Sequence, residues 1–225
     1  HESLPINIQN QKKTLVMNPF NIDNIYKREK SRKWINELYD IPKDSILFGY
    51  IGRLVDWKNV DFLIYCFSKY IKKSNLHIHL IIVGDGDNKY LDSLKKLTHK
   101  LEVKNIVTFA GFNSEPDRVI SAFDLMIAPS NKEPFGRTLV EAMIQKTPIL
   151  AARGGGHSEI INNEVTGRLY DHNNVDDFID KCEIFFNNSE SNYEIINKAN
   201  DTAYIKYSAH KHAENIIQIY KNLSI

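Results

Sequence analysis

Short apolar runs and segments of helical periodicity alternate along the middle of the chain. Apolar residues recur at helical spacing between the first two runs and between the second and third, and a short helix is expected over 115–122. From about Val175 onward the pattern is only helical, and the last helix has an apolar face around Ile217. Six runs have the length and apolar character of buried strands: 46–52, 77–84, 105–112, 124–130, 147–152 and 166–171.

This alternation predicts the class of fold. Strands that are apolar along their whole length belong in a parallel sheet covered by helices on both faces, here an α/β architecture of about six strands. The segment after Val175 is expected to form a helical C-terminal tail. Ligands of such sheets bind beyond the carboxyl ends of the strands, so the loops that follow the strands are the first place to look for function.

Composition narrows the classes of protein to consider. The chain has 225 residues, 42% of them hydrophobic, and its net charge of +1 gives no overall field that would attract nucleic acid. The two cysteines, Cys66 and Cys182, stand in apolar helical contexts, which favours a reducing, cytoplasmic compartment over a disulfide scaffold. No apolar run approaches the length of a membrane span, and no signal peptide is visible. The sequence opens with His1 instead of a Met, which is expected if it is a piece of a longer protein.

Polar and glycine-rich residues follow the predicted strands. In chain order these loops read GRLVDWK, GDGD, GF, SNKEPFG and RGGGHSE. Gly136 and the run Gly154–Gly156 stand where helices should begin, and they suit either a phosphate cradle or simple tight turns. The stretch GDGDNK (84–89) lacks the third glycine of a dinucleotide fingerprint, and no Walker lysine pattern occurs, so a nicotinamide cofactor and a P-loop are both disfavoured.

Two cations and two acids are prominent in these loops. Arg53 and Lys58 flank the start of the first periodic helix and would suit a diphosphate, although two solvated side chains would give the same pattern. Glu133 and Glu141 are eight residues apart, the first before a predicted helix and the second inside it, so they need not flank one bond as in a glycosidase. Each could instead accept hydrogen bonds from ligand hydroxyl groups, and Glu141 could also pair with Arg137 on the helix surface.

An ordered set of motifs makes the chain resemble a known family. The motifs are MNPFNID (17–23), GRLVDWKN (52–59), VGDGD (83–87), VTFAGF (107–112), EPFGRTLVEAM (133–143), TPILAARGGGHSEII (147–161) and TGRLY (166–170). In this order and spacing, the chain from about Met17 to its end resembles the C-terminal, nucleotide-binding half of a retaining glycosyltransferase of family 4. It departs from the pattern at Phe20 and Asn21, where that family often has Asn-Gly. The resemblance implies a Rossmann-like domain that is one half of a GT-B fold.

The resemblance also implies a role for each loop. Arg53 and Lys58 would hold the donor pyrophosphate and stabilise the charge that develops as it leaves. Glu141 would accept hydrogen bonds from ribose hydroxyls, and Glu133 would orient the donor sugar and ease positive charge at its anomeric carbon. The other implied donor contacts are main chain near Phe135, Gly136 and Arg137 at the sugar or phosphate, main chain near Thr108 and Ala110 beside the base, and the pocket-shaping loop of Gly155, Gly156 and Glu159.

The chemistry implied by the resemblance is transfer of a sugar, with retention, from a nucleotide-diphosphate donor to a glycan, lipid-linked or other hydroxyl acceptor. The favoured mechanism is a front-face attack in which the leaving phosphate takes the acceptor's proton, so no cofactor, no metal and no protein base are expected. A GT-B enzyme binds its acceptor through an N-terminal domain. Residues 1–20 are then expected to be an interdomain crossover and 21–225 the donor-binding domain, with the final helix packing towards the domain that is absent here.

Other functions stay open on the sequence alone. A non-catalytic nucleotide-sugar binding module would use the same loops, and a nucleotide-sugar epimerase shares the GT-B fold, although the spacing of Glu133 and Glu141 disfavours it. The basic run KREKSRK (27–33) would suit either a peripheral contact with anionic membrane lipids or a solvated helix start. Zinc at His210 and His212 is not expected, because side chains two residues apart on a helix point away from each other.

Overall fold

The computed structural model describes residues 16–223 of the chain. Within them, six strands form one sheet: β1 Ile46–Ile51, β2 Ile78–Val83, β3 Val107–Gly111, β4 Leu125–Ala128, β5 Ile149–Ala152 and β6 Arg168–Tyr170. The α-helices are α1 Arg28–Tyr39, α2 Val60–Lys73, α3 Asn88–Lys100, α4 Pro116–Ser121, α5 Arg137–Ile144, α6 Gly155–Ile160, α7 Val175–Asn187, α8 Ser189–Tyr207 and α9 Ala209–Leu223. Each strand lies within the range predicted for it, and α4 lies within the predicted 115–122.

Neighbouring strands of the sheet all run parallel. Their order is β3-β2-β1-β4-β5-β6, so the direction of winding reverses between β1 and β4. At such a switch point the connections leave towards opposite sides and open a crevice beyond the carboxyl ends of the strands. The predicted fold class is confirmed: a Rossmann-like parallel sheet with helices on both faces and a helical C-terminal tail.

Alternate residues of each strand enter two separate hydrophobic cores. Leu47 and Ile81 belong to a core shared with α1, α4, α5 and α8, whereas Phe48 and Leu80 belong to a core shared with α2, α3 and α7. Because both faces of the sheet are covered, the strands have no polar face. This double burial is the physical reason why the strands appear in the sequence as unbroken apolar runs.

At the amino edge of the sheet, Asp124 gathers three hydrogen-bond donors. Its carboxylate accepts from the main-chain N–H of Leu47 at 2.6 Å, from Arg32 at 2.6 Å and from Arg28. Arg32 also donates to the main-chain oxygen of Ser45. Two cations of the basic run 27–33 are therefore paired within the protein, which weakens the hypothesis that this run is a lipid-binding surface.

The segment before α1 lies against the C-terminal helices. The main-chain N–H of Phe20 donates to Tyr207 O at 2.9 Å, and His212 Nδ1 lies 2.8 Å from Met17 O. Most of the predicted crossover 1–20 falls on residues 1–15, outside the described residues, and the division of the chain at residue 21 stays a prediction. Ile217 of α9 is 54% exposed, and packing of its apolar face on a further domain also stays a prediction.

None of the helices in the described range is both long enough and apolar enough to span a bilayer. Cys66 and Cys182 are both buried and both present as free thiols. Burial raises the pKa of Cys66 to about 12, so this thiol is held in its unreactive, protonated form.

Candidate functional site

A pocket lies at the switch point of the sheet, where β1 and β4 are neighbours. Its walls combine the ends of these strands with residues from the loops that follow them and from the starts of α5 and α6. The lining residues are Tyr50, Ile51, Lys58, Met126, Ile127, Ala128, Pro129, Ser130, Glu133, Thr138 and His157. Lys58 and Glu133, which were predicted from different loops, are thus brought to one place.

The loop after β1 gathers the two predicted cations around one indole ring. Lys58 Nζ lies 4.5 Å from the centre of the Trp57 ring, and Arg53 Cζ lies 5.8 Å from it. The main-chain oxygen of Trp57 in turn accepts a hydrogen bond from Ser130 Oγ at 3.0 Å. Since the face of an indole attracts cations, Trp57 helps to hold Lys58 at the pocket and Arg53 beside it, where Arg53 lines the neighbouring cleft at the carboxyl ends of β1 to β3.

Lys58 already has a charged partner in this structure. Its ammonium group forms an ion pair with the carboxylate of Glu133, and the two side chains are only 16% and 17% exposed. The family resemblance assigned Lys58 to the pyrophosphate and Glu133 to the sugar of the donor, whereas in the structure the two side chains contact each other. A ligand phosphate that binds Lys58 would compete with Glu133 for the ammonium group.

Glu141 lies apart from this pair, on the second turn of α5. Its carboxylate is 3.7 Å from Arg137, so the alternative of an ion pair along the helix is realised. However, the Glu141 side chain is largely buried while Arg137 is 59% exposed. Burial raises the pKa of Glu141 and the neighbouring carboxylate of Asp117 raises it further, whereas Arg137 lowers it. A largely buried carboxylate with one distant partner is suited to accept hydrogen bonds from a ligand hydroxyl.

The glycine run after β5 packs against the loop that carries Glu133. The main-chain N–H of Gly156 donates to Glu133 O at 2.7 Å. A Cβ atom added at Gly155 would lie 2.6 Å from that same oxygen, and one added at Gly156 would lie 2.3 Å from Phe135 O. The glycines thus allow two loops to touch, which favours the tight-turn alternative and fixes the main chain at Glu133. Glu159 lines a separate cleft.

At the start of α5, the side chain of Phe135 packs into the protein. Its ring centre lies 6.2 Å from that of Phe20 and 6.0 Å from that of Tyr207, and the guanidinium of Arg137 lies 4.6 Å from the Phe20 ring. Gly136 caps the helix with a φ of 94°, a left-handed conformation that favours glycine. Phe20 therefore supports the segment 135–137, and contact between the main chain of that segment and a ligand stays a prediction.

The two residues predicted beside a base lie on the edge strand β3. Thr108 stands three residues before the end of the strand, with its Oγ1 2.8 Å from His79 Nε2. Ala110 stands at an irregularity in the pairing of β3 with β2. A second cleft at the carboxyl ends of β1 to β3 is lined by Ile51, Gly52, Arg53, Val83, Gly84, Asp85, Phe112, Asn113, Ser114 and Pro116. Contact between the main chain of Thr108 or Ala110 and a base stays a prediction.

Comparison with protein families assigns this chain to one of them. The model of the family "Glycosyl transferases group 1" matches residues 31–202, which include β1 to β6 and both predicted glutamates. The chain belongs to the glycosyl transferases group 1 family.

Curated relatives of similar sequence are also glycosyltransferases. The poly(ribitol-phosphate) α-N-acetylglucosaminyltransferase of Staphylococcus aureus is 29% identical over 209 residues, which are 92% of this chain and 41% of the relative. An uncharacterized glycosyltransferase of Methanocaldococcus jannaschii is 31% identical over 183 residues, which are 80% of this chain and 46% of the relative. The chain thus spans less than half the length of either protein.

Solved structures of other proteins share the fold. TarM of S. aureus, in a complex with fondaparinux, α-GlcNAc-glycerol and UDP, is 26% identical with a TM-score of 0.77, covering 95% of this chain and 41% of TarM. HepE of Anabaena with UDP-glucose is 24% identical with a TM-score of 0.83, covering 93% of this chain and 57% of HepE. A C-terminal domain of a group 1 family protein from Francisella tularensis is 22% identical with a TM-score of 0.68, covering 86% of this chain and 97% of that domain.

Among the residues that were not identified from the sequence, Tyr50, Thr138 and His157 line the pocket of this group 1 domain, and Trp57 lies beside it. Tyr50 lies within an apolar strand, so nothing in its pattern distinguished it, yet its hydroxyl donates to Arg53 O at 2.9 Å and anchors the cation loop. Trp57 lies between the two predicted cations and His157 directly follows the glycine run, so both stood inside motifs of interest. Their positions inside these motifs could have identified both Trp57 and His157 as candidate site residues.

Proposed function

We propose that this chain is the donor-binding half of a retaining glycosyltransferase of family 4, acting on a nucleotide-diphosphate sugar. The observation that carries the proposal is the pocket at the β1–β4 switch point, where Lys58 and Glu133 meet and Trp57 gathers Arg53. A cationic group beside a carboxylate in one crevice matches a ligand that is anionic at one end and hydroxylated at the other.

The complexes of similar proteins support the choice of ligand. TarM is described with UDP, and HepE with UDP and with UDP-glucose. The relative from S. aureus is named for transfer of N-acetylglucosamine. A uridine diphosphate sugar is therefore the first donor to try, and the base and the sugar of this chain's donor are left for experiment to identify.

In the proposal, the diphosphate takes the place of Glu133 as the partner of Lys58. Arg53 binds the same diphosphate with its planar guanidinium, and both cations stabilise the negative charge that grows on the leaving phosphate. Trp57 limits the motion of the two side chains before the ligand arrives, so less of their freedom is lost on binding. When the diphosphate replaces Glu133 as the partner of Lys58, the carboxylate of Glu133 becomes available to the sugar.

The two glutamates serve different parts of the donor in this proposal. Glu141 accepts hydrogen bonds from ribose hydroxyls, because its carboxylate is largely buried while Arg137, the cation paired with it, is largely exposed to solvent. Glu133, once released, orients hydroxyls of the sugar and eases positive charge at the anomeric carbon. Main chain at 135–137 and the loop of Gly155 and Gly156 complete the wall of the site.

The proposed chemistry is a front-face displacement at the anomeric carbon. The acceptor hydroxyl forms the new bond to that carbon on the face from which the nucleoside diphosphate leaves, and a leaving phosphate oxygen takes the hydroxyl proton. The step uses no metal and no protein base. The acceptor, a glycan, a lipid-linked sugar or another hydroxyl compound, is held by an N-terminal domain that lies outside this chain.

The experiment compares this chain with a longer protein in which it is joined to an acceptor-binding domain. The 225-residue chain should bind a nucleoside diphosphate and its sugar while transferring no sugar, and the longer protein should transfer it with retention, as followed by NMR of the anomeric proton. Full activity in the presence of EDTA is also expected. Transfer by the 225-residue chain alone, or inversion at the anomeric carbon, would overturn the proposal.

A further inference from the structure

His157 is a pocket residue to which no function has been assigned so far. It is the third residue of α6, directly after the glycine run, and it is 2% exposed. Its Nδ1 atom lies 3.1 Å from the main-chain oxygen of Ala152, at the end of β5. The imidazole is thus fixed at one nitrogen by a strand of the sheet, while the residue lines the pocket.

The contact with Ala152 decides which nitrogen of His157 carries the proton. A carbonyl oxygen can only accept a hydrogen bond, so Nδ1 must be the donor and must be protonated. Burial lowers the pKa of His157, which keeps the imidazole neutral near pH 7, and this outweighs the opposite influence of the carbonyl and of Glu133. In a neutral imidazole with a proton on Nδ1, Nε2 carries a lone pair and can only accept.

The surroundings of the ring restrict what Nε2 can accept from. The pocket also contains Lys58, whose ammonium is paired with Glu133, and Thr138 on α5. The Cδ2 atom next to Nε2 lies 3.2 Å from the position that a Cβ atom at Gly136 would occupy, so this edge of the ring faces the start of α5. A diphosphate at neutral pH offers oxygen lone pairs and no proton that matches such an acceptor, whereas a sugar hydroxyl does offer a proton.

We propose that His157 is a specificity-determining residue, which accepts a hydrogen bond through Nε2 from one hydroxyl group of the donor sugar. The inference rests on the proposed function, because it presumes that the pocket holds a nucleotide-diphosphate sugar. It adds a named acceptor atom for the sugar and implies discrimination against donors that lack the contacted hydroxyl. A site built to pair a hydroxyl rejects the analogue without it, because the buried acceptor is then left unpaired.

Two substitutions separate this role from a structural one. The amide of asparagine can replace Nδ1 as the donor to Ala152 O but does not reach as far as Nε2, whereas the amide of glutamine reaches the position of Nε2. We expect His157→Asn to bind the free nucleoside diphosphate as the wild type does and to bind the sugar donor about fivefold more weakly, the size of one hydrogen bond. We expect His157→Gln to recover part of that loss.

The ligands are chosen so that the two proposals can fail separately. UDP, GDP and ADP are first titrated calorimetrically into the wild type, and the glucose and N-acetylglucosamine conjugates of the tightest one follow. If no nucleoside diphosphate binds, the proposed function fails and the inference fails with it. If the diphosphate and its sugar bind while both His157 variants match the wild type for each ligand, the function stands and the inference is overturned.

Donors with single deoxy positions on the sugar identify the contacted hydroxyl. For that hydroxyl, its removal and the His157→Asn substitution should each weaken binding, and the two losses should not add, because both remove the same hydrogen bond. Removal of any other hydroxyl should weaken binding equally in the wild type and in the variant. Additive losses for every deoxy donor would contradict direct contact.

A measurement on the wild type keeps the inference testable if the variants fold poorly. The ¹⁵N chemical shifts of labelled histidines distinguish protonated from unprotonated ring nitrogens, and sequential assignment of the wild type identifies the resonances of His157. We expect a proton on Nδ1, an Nε2 shift that changes with the sugar donor, and no such change with the diphosphate alone. A proton on Nε2 in the free protein, or equal changes with both ligands, would overturn the inference.

Discussion

The two edges of the sheet carry the same kinds of charged residue in different arrangements. At the amino edge, the carboxylate of Asp124 accepts from two arginines and from the main-chain N–H of Leu47. At the carboxyl edge, Glu133 has one ammonium partner, Lys58, and Arg53 lies exposed beside the indole of Trp57. The first carboxylate is surrounded by donors that belong to the protein, whereas the second can exchange its single partner for a ligand.

The surroundings of a charged side chain therefore determine its role more than its residue type does. The donors around Asp124 come from α1 and β1, so the cluster joins a helix to the sheet. The charges of the carboxyl edge stand on loops after β1 and β4, where glycines let the two loops approach. Charge changes at the amino edge should therefore alter stability without altering ligand affinity, whereas changes at the carboxyl edge should alter ligand affinity.

The largest expected effect is at the amino edge. Asp124→Ala leaves two guanidinium groups and a main-chain N–H without their acceptor and should lower the free energy of unfolding by about 2–3 kcal/mol. Denaturant melts measure the loss, and calorimetry with a nucleoside diphosphate should find unchanged affinity at a temperature where the variant is folded. Asp44→Ala is the control, because the exposed Asp44 pairs with a similarly exposed His77, at 3.6 Å. Equal free energies of unfolding for Asp124→Ala and Asp44→Ala would show that the cluster around Asp124 does not stabilise the fold.

The next effect is expected in the cation loop. Arg53→Ala and Lys58→Ala should each weaken binding of the nucleoside diphosphate by about 1–3 kcal/mol, the range for a hydrogen bond to a charged group. Arg53→Ala should lower the melting temperature by no more than a surface substitution does. Lys58→Ala should lower it further, because it leaves the largely buried carboxylate of Glu133 without its cation. Lys96→Ala, an exposed lysine on α3, serves as the matched control. Unaltered affinity with a lowered melting temperature would show that these cations are structural.

Glu141→Gln should weaken binding of the nucleoside diphosphate and of the sugar donor alike, by about 1 kcal/mol, because the amide accepts more weakly than a carboxylate. The direction in which Glu141→Gln changes the free energy of unfolding follows from the pKa of Glu141. The raised pKa of Glu141 means that the folded protein prefers the protonated carboxyl, so its contribution to stability is present at low pH and is lost as the pH rises through that pKa. At pH 7 the glutamine variant should therefore be at least as stable as the wild type.

A surface ion pair between Glu141 and Arg137 makes the opposite prediction for the same variant. If Glu141 served only as the partner of Arg137, Glu141→Gln would lower the free energy of unfolding by a few tenths of a kcal/mol and leave the affinity for the nucleoside diphosphate unchanged. Melts at pH 7 and at pH 4, together with diphosphate titrations, distinguish the two accounts. The affinity of the wild type should also fall when the pH is lowered through the raised pKa, and that of Glu141→Gln should not.

The smallest effect is expected for the nucleoside diphosphate at Glu133. The sequence alone predicts almost unchanged affinity for Glu133→Gln, but the ion pair with Lys58 alters this expectation. Without the carboxylate, Lys58 has no competing partner, so the diphosphate should bind about 0.5–1 kcal/mol more tightly. In the longer enzyme the same variant should still turn over more slowly, because its contact matters most as charge develops at the sugar. Weaker diphosphate binding would contradict the exchange of partners.

The sequence predicts the sheet well because its strands are buried on both faces. Runs such as 46–52 then carry a continuous apolar signal, and the helices between them carry a periodic one. The positions of the site loops also follow from the pattern, since each stands where a strand ends. Local pattern and spacing were therefore enough to place Arg53, Lys58 and Glu133 near one edge.

Contacts between distant residues were beyond the reach of sequence pattern. The pair of Lys58 with Glu133 spans 75 positions, and no periodicity of either segment encodes which side chain faces which. The anchoring of Arg53 by the hydroxyl of Tyr50 was hidden because Tyr50 looks like any other residue of a buried strand. The packing of Gly156 against Phe135 likewise depends on two loops meeting in space, whereas the glycines alone suited a phosphate cradle equally well.

The most direct test of the account is a calorimetric titration of the 225-residue chain with UDP, GDP and ADP, repeated in EDTA. We expect one of these diphosphates to bind, EDTA to leave its affinity unchanged, and Arg53→Ala to weaken binding while Asp124→Ala does not. Absence of binding by all three, or equal affinities in the wild type and Arg53→Ala, would contradict the claim that the carboxyl edge of the sheet is a nucleoside-diphosphate site.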